Sequence, residues 1–546
     1  MKKRFLFGTI LLLLLSTLCF SCKREVDSDS SEFIDEDAKR IVVTPEDVDT
    51  LDITTEFGKL AIIAKGDFKN KFIVLSNVIK SYSDRIIFDM SGVSGISKIP
   101  DGAFKDCKSI SKVIFPKSIK AIGVEAFSGC SGMASVNIPN GVTVVDNSAF
   151  YGCGLYEITI PSSVTYIGYN AFGGSGRFGY SIKKINYKGN LEQWCSKTWS
   201  SGELSSSYDL FINDQKITDL VIPENVTIIK SLFRNCTSLI SVTIPEGVES
   251  IESGAFYGCT SLVSITIPSS LNAVSRDSFG SFASNYEDER NSKIETINYK
   301  GTLEQWFNKK WNSQYVTWVY WLYINDKLIT DVVVPESITN ISSNVFSRCR
   351  LNSVTIPNSV TSIESEAFSN CYMNEITIPF VGTSADATEP SASTKFIAIF
   401  GKTIPSSLKK VTITGGKILD DAFEYDYSNP IETIIILDGV TSIGKYAFYN
   451  FKELTSITIP NSVTDIGAGA FYKCTGLTSI TIPASVVIIK TNAFSGCSNL
   501  SSAIFMDADN WYSKSTTSAP DSKVDLSDSS IAAQLLKQGK YLYKAE

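Results

Sequence analysis

Histidine is missing from all 546 residues. Its absence removes the commonest general base, the usual activator of a nucleophilic serine or cysteine, and the commonest zinc ligand. Positive charge is in short supply: 50 Lys and Arg stand against 57 Asp and Glu, a net charge of −7. Such a balance lacks the basic patch of a nucleic-acid binder. The one long apolar run, Phe5 to Phe20, has 16 residues, short of the roughly 18 wanted for a membrane-spanning helix. With 43% hydrophobic residues, the chain nevertheless carries enough apolar material for a large core.

The N-terminus reads as an address. Lys2, Lys3 and Arg4 precede the apolar run, which ends at Ser21-Cys22. A basic start, a short apolar stretch and a small residue before the cut describe a secretory signal. This end resembles a bacterial lipoprotein signal peptide over residues 1–21, and the resemblance implies lipidation of Cys22. Cleavage there moves the net charge from −7 to −10, so the lipid, and not attraction to anionic headgroups, serves as the anchor. Residues 22–40 are serine-rich and acidic and read as a flexible tether.

The body is one unit written many times. Leu454 to Cys474 and Leu477 to Cys497 align at an offset of 23 residues. The phenylalanine of an Ala-Phe step recurs at Phe104, Phe127, Phe150 and Phe172, at Phe233, Phe256 and Phe279, at Phe346 and Phe368, and at Phe423, Phe448, Phe471 and Phe494. Within each unit, Ser456-Ile457-Thr458-Ile459 alternates as a strand with one buried face. Proline then ends the pairing. Val463 to Gly467 suits a second short arm, and Ala470 to Cys474 a helical turn that drives phenylalanine inward. One unit cannot bury its own apolar face, whereas stacked units share a core.

The motif L-x-x-I-x-I-P, V-x-x-I-G, A-F-x-x-C resembles the BspA-like leucine-rich repeats of bacterial surface proteins. The resemblance implies a repeat solenoid of ~23-residue units, β-rich with short helical turns, a parallel sheet on the concave face and caps at both ends. Some 17 rungs at roughly 4.8 Å would give a rod on the order of 80 Å long. The expected organisation is a β-α-β cap over 41–95, the solenoid over 96–505, and a C-terminal cap over 506–546. Expanded inserts interrupt the rungs near 180–220, 285–332 and 380–410. Two of them are copies: Tyr187-Lys188-Gly189-Asn190-Leu191-Glu192-Gln193-Trp194 returns as Tyr299 to Trp306, and the offset of 112 runs without gaps to Pro223 and Pro335. Each copy reads as a short helix and a hairpin. Gly382 to Thr394 reads as an exposed loop. Asp67 is placed to cap a helix carrying Phe72, Leu75 and Ile79, and Asp528 or Ser529 to cap one through Ile531 and Leu535.

Nine of the 12 cysteines share one repeat position: Cys107, Cys130, Cys153, Cys236, Cys259, Cys349, Cys371, Cys474 and Cys497. Phe451 fills the same slot in another unit, so it reads as apolar and buried. None of the nine has the C-x₂-C spacing of a zinc site, although stacked rungs could bring sulfurs close enough for disulfides. Cys195 aligns with Phe307, which again implies burial. Gly174-Ser175-Gly176-Arg177-Phe178-Gly179 spells G-x-G-x-x-G but follows an Ala-Phe turn and lacks a strand-turn-helix setting. No cofactor, metal or catalytic set emerges, and no enzyme is expected.

Six of the seven tryptophans lie in the two copied inserts. Trp194 and Trp306, like Trp199 and Trp311, recur at the copy offset and read as packing. Trp318 and Trp321 have no aromatic counterpart at Ser206 and Asp209. With Tyr315 they are the candidate partner-binding residues. The resemblance implies an outer-membrane lipoprotein at the cell surface that adheres to host, matrix or bacterial proteins. A glycan-binding module and a periplasmic interaction scaffold are the alternatives.

Overall fold

The computed structural model describes residues 38–49, 51, 53, 59–69, 71–173, 182–197, 207–275, 278–279, 294–309, 320–424, 429–514 and 521–545. They form a β-solenoid of about 18 turns. Three ladders of backbone hydrogen bonds run between neighbouring rungs, the sheets in separate stretches. The first is the main parallel sheet, in which Ser264–Pro268 lies between Ser241–Thr243 and Thr296–Lys300. The second pairs the short arms, as Asp465–Ile466 with Ile488–Ile489. The third runs through the Ala-Phe turns: Phe127 N–H donates to Ala149 O at 2.8 Å, and Phe471 to Ala493 O at 2.7 Å.

These ladders explain the motif. In Ser456–Thr458 the outer residues are exposed and Ile457 is buried, the alternation a half-buried strand requires. The glycine that closes the second arm sits where rungs come closest. A Cβ on Gly467 would lie 2.5 Å from the carbonyl carbon of Gly444, and one on Gly444 2.4 Å from that of Leu419. Any side chain there would collide with the backbone of the rung before.

The phenylalanines stack as columns down the core. Phe104, Phe127, Phe150 and Phe172 follow one another with ring centroids 5.3, 5.4 and 5.6 Å apart. Phe233, Phe256 and Phe279 repeat the pattern at 5.7 and 5.5 Å. The long break after Phe368 was expected as an exposed loop, and Ala385 to Ser393 are indeed largely exposed. Its ends do something the repeat pattern did not signal. Phe396 and Phe400 turn inward on 3₁₀ geometry and bridge Phe368 to Phe423, at 6.3 Å for Phe368–Phe400 and 4.8 Å for Phe396–Phe423. The column therefore crosses the break.

Each copied insert carries the expected helix and hairpin. Leu191–Cys195 and Leu303–Asn308 begin at capping boxes made by Asn190 with Gln193 and by Thr302 with Gln305. The hairpins turn at Asn213-Asp214 and Asn325-Asp326, all four with positive φ, the backbone a two-residue type I′ turn needs. Each hairpin ends one stretch of the main sheet, and the next begins at Asp219–Val221 or Asp331–Val333.

At the N-terminal end, Lys39–Val43, Leu60–Asp67 and Ile86–Ser94 pair in parallel, with the helix Phe72–Lys80 between the last two. Asp67 does not cap that helix. It ends a strand, its carboxylate accepts the Lys69 N–H at 3.2 Å, and the helix starts after Lys71 without a side-chain cap. At the other end Asp528 caps Ser529–Lys537 by accepting from Ser530 and Ile531 N–H. The buried side of this helix is Ala532, Ala533 and Leu536, whereas Ile531 is exposed. Small alanines let it lie close on Ser502–Phe505. Tyr541–Lys544 pairs antiparallel with Ile488–Ile489 and covers the last edge of the second-arm sheet.

Candidate interaction surface

The outward rows of the main sheet are mostly hydroxyl-bearing: Ser241 and Thr243, Ser353 and Thr355, Ser479 and Thr481 on their respective strands. Many of the charges among them are matched locally. Glu157 meets Lys184 at 2.6 Å and Glu375 meets Lys410 at 2.9 Å across adjacent rungs. Asp331 accepts from Ser353 at 2.6 Å and Asn352 at 2.8 Å, and these bonds, with one from Thr330, hold its carboxyl below the usual range. Asp219 is lowered in the same way, chiefly by Ser241 and then by Thr218. Exposed pairs of this kind contribute little to stability. They give a self-satisfied polar face able to make many weak contacts.

Trp194 and Trp306 are buried as packing residues. They meet Tyr187 and Tyr299 edge-on at 5.3 and 5.4 Å. Lys197 and Lys309 tie these inserts to the preceding rungs: Lys197 Nζ donates to Ser162 O at 3.0 Å, and Lys309 Nζ to Ser269 O at 2.6 Å and Leu271 O at 3.0 Å. Burial lowers the pKa of both ammonium groups. Trp199 and Trp311 lie outside the described residues, as do Gly174 to Gly179.

All nine ladder cysteines are buried and free, and so is Cys195. The slot has a polar component that residue type alone did not signal. Cys130, Cys259 and Cys474 each donate Sγ–H to a phenylalanine carbonyl of the preceding rung, from Phe104, Phe233 and Phe448, at 3.1 Å. The thiol thus satisfies a second lone pair of a buried carbonyl, which alanine or valine could not do. Burial pushes Cys107 and Cys195 up to about 12 and Cys236 to about 11, so these thiols are neutral and poor nucleophiles. Among the described residues, no group of three or more Cys, Asp and Glu could hold a metal ion.

Of the proposed binding residues, Trp321 is exposed and lies beneath the Arg350 guanidinium, 5.3 Å from the ring centroid. Tyr315 and Trp318 lie outside the described residues, as does Cys22. A cavity of about 670 Å³ opens beside the long break, lined by Asn340, Ser362, Glu364, Thr383 and Lys395 among others. Its charges are already engaged: Glu364 accepts the Ser343 N–H at 2.9 Å, and Lys395 pairs with Glu424. Among the described residues no helix is long and apolar enough to cross a membrane.

The model of the BspA type leucine-rich repeat region (6 copies) matches residues 97–208, 205–304, 322–411 and 416–537. The chain belongs to the BspA-type leucine-rich repeat family. Three solved structures are similar to it. A leucine-rich repeat protein from Bacteroides ovatus is 22% identical, with 76% of this chain and 86% of that chain covered and a TM-score of 0.28. One from Eubacterium ventriosum is 18% identical, covering 86% and 96%, with a TM-score of 0.26. A leucine-rich cell surface protein from Faecalibacterium prausnitzii is 19% identical, covering 78% and 89%, with a TM-score of 0.22. A search of the curated proteins gives no match. In this BspA-type chain the family motif accounts for the core columns and the ladders.

Proposed function

We propose that this BspA-type protein is a bacterial surface lipoprotein, anchored through Cys22, whose solenoid binds protein partners on host cells, in the extracellular matrix or on other bacteria. The observation that carries the reading is the long outward face of repeated Ser and Thr rows, built on a core whose described cysteines are buried and free. A repeat array of this kind offers an extended surface for binding. The acidic, serine-rich segment after Cys22 supports it as the spacer that would hold the solenoid away from the membrane.

The test has two stages. Protease added to intact cells should remove the antibody-detected band, while a periplasmic control survives. The purified chain should then bind immobilised matrix, host or bacterial surface proteins. Degradation only after lysis would recast the protein as a periplasmic scaffold. Loss of the band without any protein binding would leave surface display standing and remove the adhesion role.

A further inference from the structure

The two copied modules provide an internal comparison. Their buried parts coincide: Tyr208 and Tyr320 are both buried, and each forms a parallel bridge to the ladder cysteine of the next rung, Cys236 or Cys349. The outward residues on this shared frame differ. In the first copy Asp209 pairs with Lys216 across the hairpin at 2.7 Å. In the second, the same places hold Trp321 and Leu328, 38% and 40% exposed. The residue directly after the ladder cysteine is Thr237 and then Thr260 in the first copy. It is Arg350 and then Tyr372 in the second, with Tyr372 54% exposed. An ion pair and two threonines have been exchanged for tryptophan, leucine, arginine and tyrosine. Folding does not require these four side chains, because the first copy builds the corresponding rungs, with a turn one residue longer, without them.

The backbone brings these four residues together. The turn after the cysteine is one residue shorter in the second copy, Cys349 to Leu351 and Cys371 to Met373 against Cys236 to Leu239 and Cys259 to Leu262. Arg350 and Tyr372 consequently enter a parallel bridge, with Tyr372 N–H donating to Cys349 O at 3.0 Å and Leu351 N–H to Tyr372 O at 2.8 Å, while Arg350 N–H donates to Tyr320 O at 2.9 Å just as Thr237 N–H does to Tyr208 O in the first copy. Trp321, Arg350 and Tyr372 therefore stand on three successive rungs. Leu328 joins them on the hairpin, opposite Tyr323, two residues beyond Trp321. A polar rim lies alongside: Asn352 donates to Asp331 at 2.8 Å and Asn374 to Asn352 at 3.0 Å.

The Arg350 guanidinium lies over the indole, 5.3 Å from its centroid, and among the described residues has no carboxylate within ion-pair distance. Without an ion pair its N–H fork is available, and that fork matches a carboxylate bidentately. Exposed Trp, Tyr and Arg are the residue types that anchor protein interfaces. A sugar stacking on the indole would compete with the cation held over that ring. Exposed Leu328 on the hairpin and Tyr372 on the next rung add apolar surface suited to a hydrophobic side chain.

We infer that Trp321, Leu328, Arg350 and Tyr372 form the seat for a protein segment presenting a carboxylate, from Asp, Glu or a chain terminus, beside apolar side chains. The inference rests on the protein-binding reading above and adds the place and the chemistry. The full chain is assayed against arrays of random-sequence peptides with free C-termini and against a glycan array that includes uronic and sialic acids. The comparison proteins are Arg350→Thr and the fourfold exchange W321D/L328K/R350T/Y372T, which installs the first copy's residues and should leave the melting temperature unchanged. The selected peptides should depend on one particular carboxylate, from a side chain or the C-terminus. Binding should weaken roughly tenfold or more when that carboxylate is amidated or when Arg350 is replaced, as removal of one partner of a charge-assisted pair does. Peptides bound equally well by the fourfold variant would overturn the seat and leave protein binding intact. Acidic glycans whose capture depends on Arg350 would overturn it in favour of a saccharide. Absence of peptide binding here, together with absence of binding to the immobilised proteins above, would remove the seat and the adhesion role together.

Discussion

Phe256→Ala tests the shared column where it is most regular. Phe256 is fully buried between Phe233 and Phe279, with rings 5.7 and 5.5 Å away and interplanar angles of 9° and 3°. Removing a buried phenylalanine forfeits about 1.5–3 kcal/mol of transfer free energy. A residual cavity on the order of 80 Å³ adds roughly 2 kcal/mol at about 24 cal/mol per Å³. Two ring contacts are lost as well, while some collapse of the site offsets the cavity. A total of about 3–5 kcal/mol follows. In a solenoid the loss is felt first by the rungs that share the column, because each repeat contacts only its neighbours. The assay is urea unfolding of the full chain, followed by circular dichroism together with hydrogen exchange of the rungs around 233–279. The midpoint of the affected transition should fall, and protection should drop there before it drops near Phe471. An unchanged midpoint, or loss of protection spread evenly over the chain, would refute the column as a source of local stability.

Gly467→Ala places a methyl against the backbone of Gly444 and should cost roughly 1–3 kcal/mol, read as a lowered unfolding midpoint; no shift would show that the rungs can separate freely there. The ten described cysteines, all buried, should resist a thiol reagent in the native protein and react once it is denatured; rapid native labelling of most of them would contradict the ladder. Stability should also fall at alkaline pH. Cys107, Cys195 and Cys236 rise from an ordinary 9.0 to about 12, 12 and 11 in the folded chain. The folded state thus binds protons more tightly, its advantage is complete below pH 9, and it is lost as the pH climbs toward 11–12. Thermal melting across that window checks the sign, and a midpoint that held steady or rose would refute it.

Much of this molecule is legible before any coordinates are drawn, because its information is repeated. Alternation in Ser-Ile-Thr-Ile, the proline after it and the Ala-Phe-x-x-Cys turn each report a local backbone preference, and their recurrence reports that the units stack. The capping boxes at Asn190 and Thr302 and the Asn-Asp hairpin turns are likewise local chemistry, since each bond spans a few residues. Burial of Phe256, Trp194 and the cysteines follows from period alone. Apart from the missing Asp67 cap, the features that only the tertiary structure decided join residues about 20 or more positions apart. Asp67 has the right side chain for a cap, yet the path of its strand ends the helix geometry elsewhere. Phe396 and Phe400 enter the column because a break must still fill the core between Phe368 and Phe423, a demand set by neighbours and not by their own segment. The thiol-to-carbonyl bonds, the glycines pressed against the preceding rung, and the placing of Arg350 over Trp321 depend on which residues of successive turns fall in register. Register is fixed when rungs close on one another, so a one-residue shortening after Cys349 and Cys371 changes nothing in the local pattern and aligns an entire surface row.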